Sequence, residues 1–236
     1  MSGLAHELNN PLGIIIGHAQ LALETAGLDA ETRACLETIA EAGQRIAEMV
    51  RVLGDLELLR EEQFQEVDLG DVADEAVELI RPRAEEQDVT VEKEVQRPLP
   101  PVWGSPARLV QVTRGLLLNA LEAMQGQERP KRLSLQVRGD GADIVLTVRD
   151  TGRGLSAEGL AHAFEPGYST KVEKGRSRAI GMGLFVAYHT VRAHGGEVTL
   201  VSQEDSGTMV TMRLPAFSPG DSTESPSVGQ GTGLPG

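Results

Sequence analysis

Five short runs in this 236-residue chain carry side chains able to do chemistry. The first, Leu4-Ala5-His6-Glu7-Leu8-Asn9-Asn10-Pro11-Leu12, places an imidazole beside a carboxylate, with an amide one helical turn further on. Glu7 can hydrogen-bond one ring nitrogen of His6 and leave the other as a nucleophile. The second run is Leu116-Leu117-Leu118-Asn119-Ala120-Leu121-Glu122. Asn119 and Glu122 interrupt an apolar stretch three residues apart, so they share one side of a helix. Such a pair can hold Mg2+ and a water, because Mg2+ takes few protein ligands and completes its shell with phosphate oxygens. A cap or a solvated helix edge has the same composition. The third run, Asp150-Thr151-Gly152-Arg153-Gly154-Leu155, follows a strand pattern. Its glycines let backbone approach a flat ligand, and Asp150 can accept a hydrogen bond from an exocyclic amine. The fourth, Phe164 to Lys171, opens a long connection that also carries Lys174, Arg176 and Arg178. Long connections tend to be lids, and cations on one can engage phosphates. The fifth, Gly181-Met182-Gly183-Leu184, opens a helix whose free N–H groups and dipole favour an anion. Singly, the last three also describe ordinary turns and solvated loops.

Two kinds of element must position these runs. Up to about Arg60, Leu8, Leu12, Ile15, Ala19, Ala22 and Ala26, then Cys35, Ile39, Ala42, Ile46, Met49, Leu53 and Leu56, recur in alternating steps of three and four. These are heptad seams. Gly27-Leu28-Asp29 reads as the turn between them, with Asp29 capping the second helix. A helical hairpin with two seams has a poor core by itself, so a homodimer forming a four-helix bundle is expected. Packing of the hairpin onto the rest of the chain is the alternative. With Leu8 and Leu12 on the seam, His6 takes an outward position. Pro11 removes the N–H that would bond the Glu7 carbonyl, which predicts a bend. Cys35 reads as a small core residue.

Beyond Val67 the pattern is mixed. Helices are expected over residues 69–86 after Asp68, from Ser105 to about 124, and over 183–193. Strands are expected over 89–95, 133–137, 144–148, 197–201 and 207–214, with Gly139-Asp140-Gly141 as a hairpin turn. The fold class is therefore α+β, a helical hairpin (1–62) followed by an α/β sandwich with helices on one face of a mixed sheet (67–217). Residues 218–236 are Ser, Pro and Gly-rich and should be disordered.

Composition narrows the function classes. A net charge of −13 argues against nucleic acid as a partner. The single cysteine excludes an internal disulfide framework and fits a reducing compartment. No run reaches the roughly 18 apolar residues a membrane span needs, and the N-terminus offers no signal peptide. The expected location is cytoplasmic, with no membrane contact from this segment. The second helix, at about 45 Å, outreaches the first, at about 33 Å. The segment thus reads as starting inside a helix of a larger sensor, which could itself be membrane-attached.

In this order the five runs resemble the phosphoacceptor box, asparagine box, first glycine box, phenylalanine box and second glycine box of the sensor histidine kinases of two-component systems. Those kinases share an ATPase superfamily with gyrase, heat-shock protein 90 and the mismatch-repair ATPases. The resemblance covers about residues 4–217. It implies a dimerisation and phosphotransfer hairpin joined to a Bergerat-type ATP-binding domain. His6 would be the phosphoacceptor, with Glu7 beside it. Asn119 would hold Mg2+ and Asp150 the adenine amine. Gly152, Gly154, Lys171, Gly181, Gly183 and Leu184 would line the nucleotide site under a mobile lid. The implied partner is a response-regulator receiver domain, and Asn10 would position the water that dephosphorylates it. Two positions depart from the pattern: Gly115 stands where a second Asn is common, and Phe185 where the last glycine is usual. A gyrase- or chaperone-class ATPase, which has no reason to carry the His6 box, and a degenerate kinase serving as a scaffold are the rival readings. His18, His162, His189 and His194 share no metal-ligand spacing and read as helix-surface or loop residues. Trp103 is expected at a domain edge.

Overall fold

A computed structural model describes residues 3–25, 27–58, 63–166, 168 and 182–218. The chain divides into two compact units, Met1–Glu62 with Ala161–Val186, and Gln63–Leu160 with Ala187–Gly236.

In the first unit, helices α1 (Gly3–Leu23) and α2 (Ala30–Leu58) pack against each other as a hairpin. Asp29 caps α2: its carboxylate accepts the Thr32 N–H at 2.8 Å and the Thr32 hydroxyl at 2.6 Å. Those bonds, the hydroxyl's foremost, hold the Asp29 carboxyl below its ordinary pKa. Helix α1 runs through Pro11 without ending. The seam on α2 lies one residue along from the expected one. Ala40, Gly43 and Val50 are buried and Leu36 and Ala47 half-buried, whereas Cys35, Ile39, Ala42 and Ile46 are exposed. The small residues decide this. At Gly43 the helices approach so closely that a Cβ would fall 2.7 Å from Ile16 Cγ1. Cys35 is consequently a surface residue. An apolar stripe of Leu8, Ile15, Ile39 and Ile46, each 46–48% exposed, stays uncovered on the single chain.

The remaining elements are β1 (Gln65–Val67), α3 (Leu69–Glu86), β2 (Thr90–Val95), β3 (Val102–Gly104), α4 (Pro106–Ala123), β4 (Arg132–Asp140), β5 (Asp143–Asp150), α5 (Ala157–Ala161), α6 (Gly183–Ala193), β6 (Glu197–Gln203) and β7 (Gly207–Pro215). Five strands form a mixed sheet in the order β2-β4-β5-β7-β6, with β2 and β4 parallel and the other pairs antiparallel. Alternation sets its inner face: Leu133, Leu135 and Val137 are buried while Gln136 is exposed. Helices α3 and α4 pack together, and both contact β4. Their fully buried side chains include Ile80, Leu109, Leu117 and Leu121, each contributing about 1.5–3 kcal/mol by leaving water.

The starts of both helices follow their expected caps. Asp68 Oδ1 accepts the Gly70 N–H at 2.6 Å, and Ser105 Oγ accepts the Arg108 N–H at 3.4 Å, with Pro106 opening α4. Other features also differ from the sequence reading. The β4–β5 turn is Gly141-Ala142, closed by the Asp140–Asp143 pair and allowed by φ +64° at Gly141. Strands β1 and β3 form a second, two-stranded antiparallel sheet, too short to show a period. His194 is buried rather than superficial, because both ring nitrogens are satisfied. Nε2 accepts the Ser105 N–H at 3.0 Å and Nδ1 donates to the Thr190 carbonyl at 2.7 Å, while the ring stacks on Phe64. Trp103 sits partly exposed, stacked on Phe217. The expected disordered tail lies, from residue 219, outside the described residues.

Candidate functional site

Helix α4 buries Leu109, Leu116, Leu117, Ala120 and Leu121, which leaves Asn119 and Glu122 half-buried on its other side. Their fates diverge. Glu122 Oε1 accepts a hydrogen bond from Arg83 Nη2 of α3 at 3.3 Å, in a pair that is partly exposed on both sides. Glu122 thus has a cationic partner on α3. At Gly115 an added Cβ would meet nothing within 4 Å, so the missing amide there is not dictated by crowding.

One turn beyond Asn119, the end of α4 abuts the loop that follows β5. The Arg153 N–H donates to the Ala123 carbonyl at 3.1 Å. Asp150, the last residue of β5, is only 5% exposed. Its carboxylate accepts the Gly152 N–H at 2.6 Å and a backbone N–H of Thr208. Burial pushes the Asp150 pKa up to about 6, against the lowering pull of those two hydrogen bonds and of the Arg129 charge. Near neutral pH it is an ionised acceptor in a dry setting, where a hydrogen bond to an amine is stronger than in water. Thr151 ties the loop to β4: its Oγ1 accepts the Arg132 N–H at 3.0 Å and donates to the Pro130 carbonyl at 3.1 Å.

The two glycines serve the protein's own packing. A Cβ on Gly152 would fall 2.7 Å from the Ala123 Cβ. Gly154 has φ +67°, and a Cβ there would lie 1.9 Å from the carbonyl oxygen of Gln203, the last residue of β6 before the β6–β7 turn. That turn braces the loop through further bonds. The Leu155 N–H donates to Ser202 Oγ at 2.9 Å, and the Asp205 N–H to the Arg153 carbonyl at 2.7 Å. Gly154→Ala is therefore expected to destabilise the domain by about 2–4 kcal/mol, from positive-φ strain plus displaced backbone. Urea unfolding of the variant beside the wild type measures it.

Gly183 and Leu184, like His6, Glu7 and Asn10, fall in the first unit. Gly183 opens α6 at an exposed position, with Leu184 and Phe185 half-buried behind it. Lys171 and Gly181 lie outside the described residues, as do the Ser169-Thr170 and Lys174–Arg178 parts of the expected lid. His162 Nδ1 is 2.9 Å from Glu165 Oε1, and its ring lies against Tyr168. His6, Glu7 and Asn10 are residues of α1; Asn10 is exposed, and the expected outward imidazole and its bond to Glu7 concern side chains outside the described ones. The structure thus brings Asn119, Asp150, Gly152 and Gly154 to one end of one unit. It adds Arg129, Ser202 and Thr208, none of which carried a signal in its local sequence.

The first 62 residues match the His Kinase A phospho-acceptor family, and residues 104–218 match the family of histidine kinase-, DNA gyrase B- and HSP90-like ATPases. The sensor histidine kinase ZraS of Escherichia coli is 31% identical over 214 residues, 91% of this chain and 44% of that protein. The chain belongs to the sensor histidine kinases. The C4-dicarboxylate transport sensor protein DctB of Pseudomonas aeruginosa is 30% identical over 223 residues, 93% of this kinase chain and 36% of its own length. This kinase chain spans less than half the length of these curated relatives. Among solved structures, full-length ShkA in complex with AMPPNP aligns over 90% of the chain and 44% of its own, at 26% identity and a TM-score of 0.61. The Acinetobacter baumannii histidine kinase AdeS, at 20% identity and a TM-score of 0.58, shares the fold over 90% of the chain and 98% of its own. Within the kinase fold, the ATPase-type domain is the α/β part and the phospho-acceptor domain the hairpin. Among the described residues no helix is long and apolar enough to cross a membrane.

Proposed function

We propose that this chain binds ATP with Mg2+ at the Asn119–Asp150 end of its ATPase-type domain, phosphorylates His6, and passes the phosphoryl group to an aspartate of a response-regulator receiver domain. The observation that carries the reading is Asp150: a buried carboxylate, ionised near neutral pH, held rigid by backbone N–H groups at the end of β5. Its chemistry fits the exocyclic amine of adenine. The AMPPNP complex of ShkA supports a nucleotide triphosphate as the ligand. Asn119 offers a hard amide oxygen suited to Mg2+. Among the described residues no three His, Cys, Asp or Glu side chains cluster to hold a metal, so the ion would rely on Asn119 and the phosphates. Gly152, Gly154, Lys171, Gly181, Gly183 and Leu184 complete the proposed nucleotide site.

Bound ATP supplies the phosphoryl group. A His6 ring nitrogen forms a bond to the γ-phosphorus as the bond from that phosphorus to the bridging oxygen breaks, and ADP leaves with the electron pair. Glu7 steadies the other ring nitrogen and the positive charge that develops there. The uncovered stripe of Leu8, Ile15, Ile39 and Ile46 supports a homodimer, in which the second copy's hairpin would cover it. Exposed Asn10, one turn from His6, is the residue proposed to orient water for dephosphorylation of the receiver domain. Asn10→Ala is expected to slow that dephosphorylation about tenfold or more while autophosphorylation persists, measured by loss of label from a phosphorylated regulator.

Incubation with γ-labelled ATP and Mg2+ tests the main reading. An acid-labile, alkali-stable label on the protein is the expected result. Phosphate release without labelling would favour the gyrase-like ATPase, and the absence of both label and phosphate release would favour a binding scaffold.

A further inference from the structure

Arg129 lies in the connection between α4 and β4, next to Pro130, and belongs to none of the five chemical runs. Its guanidinium reaches two backbone carbonyls distant in sequence. Nη2 donates to the Gly152 carbonyl at 2.8 Å, and Nη1 donates to the Asp205 carbonyl in the β6–β7 turn. Nε donates to Gln127 Oε1 at 3.1 Å, which orients the fork. Gly152 is the residue whose N–H the Asp150 carboxylate accepts, and Asp205 is the residue whose own N–H donates to the Arg153 carbonyl. Arg129 therefore grips both sides of one small hydrogen-bonded ring: Asp150, Gly152 and Arg153 on one side, the β6–β7 turn on the other. Each grip is a charge-assisted hydrogen bond, of the stronger kind. A guanidinium suits the task because its donors diverge in a fixed plane, whereas an ammonium could satisfy one carbonyl well and the other poorly.

Resting on the reading of this end of the domain as the nucleotide site, we propose that Arg129 is a positioning residue for adenine recognition, clamping the Asp150–Gly154 loop to the β6–β7 turn so that the Asp150 carboxylate is held in its binding orientation. It need not touch the nucleotide. The loop has other anchors, at Ala123, at Arg132 and at Ser202. Loss of the clamp thus loosens the loop without unfolding it. The positive charge of Arg129 also favours the ionised form of Asp150, which acts in the same direction as the clamp.

The experiment compares wild type, Arg129→Met and Arg129→Lys in two measurements. Titration with AMPPNP and Mg2+, together with autophosphorylation as a function of ATP, should give a Kd and a KM raised about 3- to 10-fold in Arg129→Met, with kcat changed less. Arg129→Lys should recover part of the loss. Hydrogen exchange of the nucleotide-free protein should show faster exchange at the Gly152, Arg153 and Asp205 amides in Arg129→Met, with the α4 amides before Ala123 unchanged. Wild-type affinity and wild-type exchange in Arg129→Met would overturn the proposal. So would a fall in kcat alone, since a positioning residue for adenine acts on binding. If the wild type itself bound no AMPPNP, the nucleotide reading would fail and this inference with it, even if exchange showed that the clamp exists. If Arg129→Met did not fold, the milder Arg129→Lys carries both measurements, and wild-type behaviour there on affinity and exchange would equally overturn the proposal.

Discussion

Replacing His6 with alanine is expected to abolish the acid-labile label altogether, a loss of at least about a thousandfold in labelling rate. The argument is chemical. A phosphoryl group on nitrogen survives alkali and is lost in acid, which no phosphoester of Ser, Thr or Tyr imitates, so the label reports a phosphorus–nitrogen bond. Five histidines are present, and the others have other settings. His194 has both ring nitrogens engaged and is buried, so neither can attack a phosphorus. His162 lies beside Glu165 and Tyr168, and His189 has its pKa lowered by burial. His18 is on α1, three turns past His6 and without the neighbouring carboxylate. Nucleotide affinity should survive in His6→Ala, because none of the residues proposed to hold the nucleotide lies in the helical hairpin. A label that persisted in His6→Ala with the same acid and alkali behaviour would move the acceptor elsewhere. Loss of AMPPNP binding in that variant would mean that the hairpin builds part of the nucleotide site.

The second large effect concerns Asp150, and it separates function from stability. Asp150→Asn should lower nucleotide affinity about 30- to 100-fold or more, because the charged acceptor is replaced by an amide that can present a donor to an amine. The same substitution should stabilise the fold above pH 7. Burial raises the Asp150 pKa from 3.8 to about 6, so the folded state prefers the neutral carboxyl. Its contribution to stability is full below pH 3.8 and is lost as pH rises through about 6. At pH 8 the domain carries a desolvated carboxylate that asparagine lacks. The gain is about 1–2 kcal/mol at pH 8, reduced because an Asn amide has one acceptor oxygen where the carboxylate has two for the Gly152 and Thr208 N–H groups, and it should vanish near pH 4. Urea unfolding of both proteins at the two pH values measures it. Wild-type nucleotide binding should weaken as pH falls through about 6, and the residual binding of Asp150→Asn should not follow that profile. Equal stability at pH 8 would mean that the carboxylate is solvated in the folded state.

These expectations rest on features of unequal legibility. Caps were readable because they are local: Asp29, Asp68 and Ser105 each satisfy an N–H two or three residues away. Strand alternation was readable because the sheet has one buried face, and the mixed sheet followed from it. The α2 seam was misplaced by one residue because a heptad period leaves two adjacent stripes with the same spacing. Which stripe meets α1 was decided by the close approach that Gly43 permits against Ile16. Cys35 and the apolar stripe were thereby turned outward. In the sequence, Gly152 and Gly154 point to the close approach of a flat ligand. That the approaching groups include the protein's own Ala123 and Gln203 required the folded chain.

The sequence alone determined the order of the five chemical runs, the helical hairpin ahead of an α/β domain, and the membership in the sensor histidine kinases that the comparisons then established. Each of those depends on residue type and on spacing within one element. Only the tertiary structure decided the environment of the site. Burial set the pKa of Asp150, Arg83 reached Glu122 across 39 residues of chain, and Arg129 reached Asp205 across 76. Such partners leave no mark on local pattern, because a hydrogen bond depends on distance in space, and the turns of the fold set that distance independently of separation along the chain.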